Sequence, residues 1–153
     1  MSCKCKQIVT VSTNGPKAIG PYSLGIVTHD LIFTSGQAGL SPKTGEIVPG
    51  GIEAESRQTI ENLAVILKAA GSSLEKVVKT TVYLKSMGDF AAMNAVYAEY
   101  FGEESPARTT IQAAALPKNA MVEIEAIAVK CSGDCECDDN DEDEGGCGCG
   151  CKG

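Results

Sequence analysis

Four clusters of polar residues stand out from apolar or turn-forming surroundings along this chain of 153 residues. They lie at residues 19–23, 34–37, 106–110 and 123–128, and they supply an arginine, two glutamates, several hydroxyl groups and two glycines. Such groups can hold a carboxylate, place a water molecule and manage a proton. A site built from them suits a small substrate that carries a carboxylate.

Arg108 is the first candidate, because a guanidinium offers two parallel N–H donors that match a carboxylate. An arginine at the start of a strand can instead be solvated or paired with a glutamate, and the pattern alone favours that interpretation. Glu123 and Glu125 share one face of the last predicted strand, since side chains two residues apart point the same way. We expect Glu123, near Arg108, to orient a water molecule; an exposed strand face or a structural ion pair is the alternative.

Tyr22 follows a Gly-Pro turn, where its ring can form a pocket wall and its hydroxyl can donate, although ordinary half-buried packing explains it equally well. Ser35 and Gly36 offer a hydroxyl and a closely approachable backbone N–H, a combination common at turns. His29, the only histidine, is expected in a surface turn, so no histidine-activated nucleophile can be assembled. Glycine motifs for phosphates or dinucleotides are missing too, and no organic cofactor is expected for catalysis.

The spacing of apolar residues predicts an α+β domain with the element order βββαβαββ. Gly71 stands where a left-handed cap would end the first helix, and Ser86 with Asp89 is typical of the start of the second. The predicted strands lie at 7–11, twice within 23–35, and at 77–84, 106–113 and 121–129; the helices lie at 52–70 and 86–101, and 36–51 is a loop.

Two helices can cover only one face of the resulting six-stranded mixed sheet. The other face, which carries Val78, Val82 and Leu84 or their alternates, then needs protein against it. This predicts association with other copies of the chain.

Charge divides the chain into a body, residues 1–130, and a tail, residues 131–153. The tail carries eight acids and one lysine, which leaves 12 acids and 12 bases for the body. A neutral body beside an acidic tail makes nucleic acid an unlikely partner. Because the tail has no apolar residue larger than cysteine, we expect it to be disordered unless a ligand organises it.

Closely spaced cysteines in the tail can converge on one soft ion, which predicts a metallothionein-like site for Cu(I) or Zn(II). A flexible, oxidation-prone tail without a specific ligand is the alternative. The chain has no apolar stretch of signal-peptide or membrane-spanning length, so we expect a cytoplasmic protein with reduced thiols. The proposed ligands are Cys131, Cys135, Cys137, Cys147, Cys149 and Cys151, with Cys3 and Cys5 able to join them.

The four clusters, in this order and with both helices between the second and third, resemble the signature of the RidA family, also known as the YjgF or endoribonuclease L-PSP family. Asn94 matches that family's helix asparagine, and the resemblance spans residues 7 to 130. It implies a chorismate-mutase-like fold, a homotrimer with sites between subunits, and hydrolysis of small 2-enamine and 2-imine acids to 2-keto acids and ammonia.

The resemblance also implies roles for single residues. Arg108 would grip the substrate carboxylate, Glu123 would act as general acid or base, and Tyr22 would complete the catalytic set, while Ser35, Gly36, Asn94 and Thr110 would bind substrate. Thr110 departs from the pattern, since many deaminase members have cysteine there; its backbone carbonyl would still be present. Two other functions stay open: a ribonuclease or translation inhibitor of the L-PSP type, and a metal-handling protein that uses the tail.

Overall fold

The computed structural model describes residues 5–12 and 15–130. Seven strands and two α-helices make up this part of the chain, with short 3₁₀ turns before β5, before α2 and before β7. The elements are β1 (Gln7–Ile8), β2 (Gly25–Val27), β3 (Leu31–Thr34), β4 (Gln37–Ala38), α1 (Gly51–Ala69), β5 (Val77–Leu84), α2 (Phe90–Phe101), β6 (Ala107–Gln112) and β7 (Val122–Val129).

The strands form one mixed sheet in the order β1-β2-β3-β7-β5-β6. The β5–β6 pair is parallel and the other pairs are antiparallel. β4 lies off this path and pairs with β7, inside the segment that the sequence predicted as a loop. That prediction was wrong for Gln37–Ala38, because a two-residue strand is too short to show the alternation on which strand prediction depends.

The first helix ends as its sequence predicts. Gly71 has φ +80°, and the N–H groups of Gly71 and Ser72 donate to the carbonyls of Lys68 and Leu67. This pairing satisfies carbonyls that the helix leaves open, and the left-handed conformation favours glycine. The chain can therefore turn sharply from α1 towards β5.

Both helices pack on one face of the sheet, as expected for this α+β fold. Ile60, Leu63 and Leu67 of α1 are fully buried and share one core with Val122 and Ile124 of β7. Strand side chains alternate between the two faces, so every second residue of β5 and β7 points away from the helices. We call this second surface the open face; it carries Lys79, Thr81, Tyr83, Glu123, Glu125 and Ile127.

Two of the three residues named for the uncovered face lie on the other face of the sheet. The residues that alternate with them form the open face. Val82 and Leu84 are fully buried under the helices. Val78 is 46% exposed because it sits at an irregularity of the β5–β7 pairing. The sequence correctly predicts that β5 side chains alternate between the two faces of the sheet. It does not show which of the two sets faces the helices.

Three smaller expectations can be compared with the structure. His29 lies in an exposed bend between β2 and β3, as predicted. Cys5 is disulfide-bonded, contrary to the expectation of reduced thiols. Within residues 5–12 and 15–130, no helix combines the length and apolar character needed to cross a membrane.

Candidate active site

A cavity of about 470 Å³ lies where β3 gives way to β4 beside β7. Phe33 pairs with Ile127 and Gln37 pairs with Ile124, so the chain advances four residues while β7 advances three. The extra residue makes a bulge at residues 34–36, and such bulges re-aim side chains next to binding sites. The cavity lining includes Tyr22, Ser35, Gly36, Glu123 and Glu125.

Hydrogen bonds hold the bulge in one shape. The Ser35 hydroxyl donates to the Ser23 carbonyl at 2.6 Å, and the Ala126 N–H donates to Thr34 Oγ1 at 2.9 Å. Because its proton is used in this way, Ser35 can offer a ligand its oxygen as an acceptor.

Gln37 is the residue of this site to which sequence reasoning gave no role. Its Nε2 donates to the carbonyls of Ser35 and Gly36 at 3.3 and 3.1 Å, and the side chain is only 6% exposed. The amide thus fixes both peptide groups of the bulge from inside. The position of Gln37 directly after Ser35 and Gly36 could have suggested a role in the site. Side-chain amides are too common at strand ends for that position to be decisive.

The Glu123 carboxyl group packs directly against the bulge at Gly36. A Cβ built on Gly36 would lie 1.9 Å from Glu123 Oε1, so a side chain at this position would displace the carboxyl group. Burial raises the pKa of Glu123, and the charge of Glu125 raises it further. A carboxyl group in this setting is better matched to exchanging protons near neutral pH than an exposed one.

Glu125 and Tyr22 complete this side of the cavity. Tyr83 donates its hydroxyl proton to Glu125 Oε1 at 3.3 Å. Tyr22 is 43% exposed, and its hydroxyl accepts the Ile19 N–H at 3.2 Å, which leaves the phenol proton free to donate. The structure therefore brings Tyr22, Ser35, Gly36 and Glu123 into one place, which we call the glutamate half-site.

Arg108 lies elsewhere, on the edge strand β6. Its guanidinium carbon is 4.7 Å from the ring centroid of Tyr97 and 5.7 Å from that of Phe90, both on α2. Within the described residues Arg108 makes neither an ion pair nor a side-chain hydrogen bond. Aromatic rings hold the cation while its N–H groups stay available for an anion.

Two polar atoms accompany Arg108 on the same side of the sheet. Asn94 Oδ1 and Thr110 Oγ1 are buried and find no hydrogen-bond partner in the described part of the chain. Unpaired buried oxygens are uncommon and need an explanation. Arg108, Asn94 and Thr110, which we call the arginine half-site, can thus offer an anion grip and two acceptors to a ligand.

The two half-sites do not meet within one chain. Arg108 lies beside Thr80 of β5, and Glu123 lies beside Tyr83. Because these β5 residues are three positions apart, their side chains, and those of their strand neighbours, point to opposite faces. The expectation that Glu123 lies near Arg108 was therefore wrong for a single chain.

The predicted metal site falls outside the described residues, since its six tail cysteines all follow Lys130. Among the residues that the structure does describe, no cluster of histidine, cysteine, aspartate or glutamate side chains could hold a metal ion.

Comparison with known protein families identifies the family of this chain. Residues 12–130 match the family model described as endoribonuclease L-PSP. The chain belongs to this family. Membership confirms the RidA resemblance and the α+β fold that it implied.

Individual relatives are similar in sequence to this L-PSP family member over almost the whole body. A RutC family protein of Pyrococcus horikoshii is 55% identical over 80% of this chain and 97% of its own length. The 2-iminobutanoate/2-iminopropanoate deaminase of Mus musculus is 48% identical over 85% of this chain and 96% of its own length. The crystal structure of E. coli TdcF with bound serine is 41% identical, with a TM-score of 0.76, over 82% of this chain and 99% of that one.

Proposed function

We propose that this L-PSP family protein hydrolyses small 2-imino acids and their enamine tautomers to 2-keto acids and ammonia. The observation that carries the proposal is Arg108, a cation held by ring faces with its donor edges unpaired among the described residues. The name of the mouse relative and the serine bound to TdcF, an amino acid with a carboxylate, support it.

The opposite placement of the half-sites supports a site shared between copies. The arginine half-site of one copy would face the glutamate half-site of its neighbour, and the open face would be buried between them. Rotationally symmetric homo-oligomers repeat such a contact around a closed ring. We therefore propose a ring of copies with its sites at the contacts between subunits, and the RidA resemblance implies that this ring is a homotrimer.

In this site the substrate carboxylate would bind Arg108, and a water molecule would attack the imine carbon. The new C–O bond forms as the C=N π bond opens and a proton passes to nitrogen. The hydroxyl then loses its proton and nitrogen gains one, so that the C=O bond forms, the C–N bond breaks and ammonia leaves. Glu123, whose pKa burial raises, is suited to accept a proton from the water and return one to the nitrogen. The half-exposed Tyr22 hydroxyl can donate to the same substrate.

The decisive experiment measures keto acid release when a pyridoxal-dependent dehydratase generates 2-iminobutanoate in situ. We expect Arg108→Ala to lower kcat/KM by a factor of at least about ten, the loss for a charged hydrogen bond worth roughly 1.5–3 kcal/mol. Arg108→Lys should recover little, since an ammonium cannot bind a carboxylate with two parallel donors.

Arg57→Ala is the matched control, because Arg57 also lies over a tyrosine ring but pairs with Glu99 on the helix surface. It should retain full turnover. An Arg108→Ala protein as active as the wild type would disprove the assignment.

The same preparation should be tested for RNA cleavage, because the family model carries an endoribonuclease description. The glutamates of the open face and the acidic tail disfavour a polyanion at this site. RNA cleavage without keto acid release would replace our proposal with the ribonuclease function.

A further inference from the structure

The ring beneath Arg108 is itself fixed in place. Tyr97 is 4% exposed, and a 2.7 Å hydrogen bond joins its hydroxyl to Thr80 Oγ1, which is completely buried. Its ring also stacks on Phe101, with centroids 4.3 Å apart. Two contacts of different kinds thus hold the position and tilt of this ring.

Thr80 is also the β5 neighbour of Arg108 in the parallel β5–β6 pair. Thr80, which lies beside Arg108, is therefore hydrogen-bonded to the hydroxyl of Tyr97, and the Arg108 guanidinium lies over the ring of that tyrosine. A closed arrangement results: β6 carries Arg108, β5 carries Thr80, and α2 carries Tyr97, which contacts both. Any displacement of the tyrosine ring must break the hydrogen bond to Thr80 or the stacking on Phe101.

Arg57 shows by contrast what this arrangement provides. Arg57 lies 5.9 Å from the Tyr100 ring centroid, but a carboxylate of Glu99 occupies its N–H groups. Arg108 is held at 4.7 Å by Tyr97 without such a partner in the described residues. A ring face restrains a cation without using its donors, so the guanidinium stays both ordered and available.

We infer that Tyr97, tethered by Thr80, is a positioning residue that holds the Arg108 guanidinium ready for the substrate carboxylate. This inference rests on the proposed function. Pre-ordering a binding group lowers the cost of ordering it when the ligand arrives. Because Tyr97 is proposed to act only through carboxylate binding, the tether should affect the ground state and the transition state equally, and so change KM and not kcat.

Three variants test the tether. Thr80→Val and Tyr97→Phe each remove one hydroxyl and keep the shape, and the third variant combines them. Each single change leaves a buried hydroxyl unpaired and should lower Tm, whereas the double variant leaves none and should recover most of it. If Tyr97 positions Arg108, KM should rise about tenfold in all three variants, since one tether is lost in each.

The dissociation constant of 2-oxobutanoate, the keto acid product, should rise by the same factor in calorimetry. Thr80→Ser keeps the hydroxyl and should bind and turn over like the wild type. A double variant whose KM recovers together with its Tm would show that the tether only stabilises the fold, and would overturn the inference.

Measurements on the wild-type protein distinguish a failure of the proposed function from a failure of the positioning role of Tyr97. Wild-type protein that neither releases keto acid nor binds 2-oxobutanoate would overturn the proposed function and this inference with it. Wild-type protein that does both, beside a double variant that matches it, would overturn the inference alone.

Discussion

Glu123 shows how one residue can serve chemistry at the expense of stability. Its carboxyl group is half-buried against Gly36, and the pKa is raised by burial first and by the charge of Glu125 second. A group whose folded-state pKa is raised favours folding while it is protonated, and this contribution is lost as pH rises through that pKa. The charged form of Glu123 therefore opposes folding.

Glu123→Gln should consequently have two opposite effects. Keto acid release should fall by about 10²- to 10⁴-fold, the usual contribution of a general acid or base. Thermal unfolding should show a higher Tm at neutral pH, a gain that shrinks as acid protonates the wild-type group. Glu103→Gln, at an exposed position, is the control and should change neither property. A Tm that falls at neutral pH would contradict this account of Glu123.

At the scale of elements, α1 does more than cover the sheet. Asn62 is 1% exposed, and its Nδ2 donates to the carbonyls of Ala38 and Leu40 at 3.2 and 2.9 Å. Glu55 on the same helix accepts the Met121 N–H at 2.8 Å. Asn62 thus holds β4, and with it the bulge of the glutamate half-site, while Glu55 holds the residue before β7.

Asn62→Leu keeps the volume but removes the donor from two carbonyls. We expect a loss of unfolding free energy of about 1–3 kcal/mol from the Leu40 carbonyl left unpaired, whereas the Ala38 carbonyl keeps the Leu40 N–H as a donor. Keto acid release should decline as well, because the bulge loses its support. Gln58→Leu is the control: Gln58 only donates to Asn62 Oδ1, so its loss should cost less. Equal losses in urea unfolding would contradict the role of Asn62.

The elements also show how far sequence reasoning reaches. Helix α1, predicted at 52–70, spans Gly51–Ala69, and β5 has the predicted bounds, because long periodic segments carry their own signal. The relation of Arg108 to Glu123 had no such signal. It depends on the registers of two strand pairs around β5, which are set by contacts between distant segments.

At the scale of the whole molecule, the open face carries exposed apolar side chains among its polar and charged ones. Phe33 and Ile111, aligned with this face, are 41% and 47% exposed, and Ile127 lies between them in the sheet order. Large apolar side chains left exposed on one face favour association. This supports the proposed trimer, in which the open faces are buried.

Light scattering at micromolar concentration should give three times the mass of one chain. Phe33→Asp should yield monomers without turnover, because a charge on the open face opposes burial. Val65→Asp, at a residue of α1 that is 40% exposed, is the control and should remain trimeric and active. A wild-type monomer would disprove the trimer.

The tail makes a separate prediction for the whole chain. Every proposed catalytic group precedes Lys130, so truncation after Lys130 should preserve the trimer and turnover. The full chain, reduced and reconstituted, should bind Zn(II) or Cu(I) through its tail cysteines, and the truncated chain should not. Elemental analysis decides this; full-length protein without tightly held metal would contradict the metallothionein-like proposal.

The opposite-face placement of Arg108 and Glu123 has a genetic consequence. A chain that lacks Arg108 still carries an intact glutamate half-site, and a chain that lacks Glu123 still carries an intact arginine half-site. In the proposed trimer, two inactive versions of the protein, expressed together, would complement each other in mixed assemblies. By random assortment, about one site in four would pair two intact halves. Two defective alleles could sustain an activity that neither supports alone.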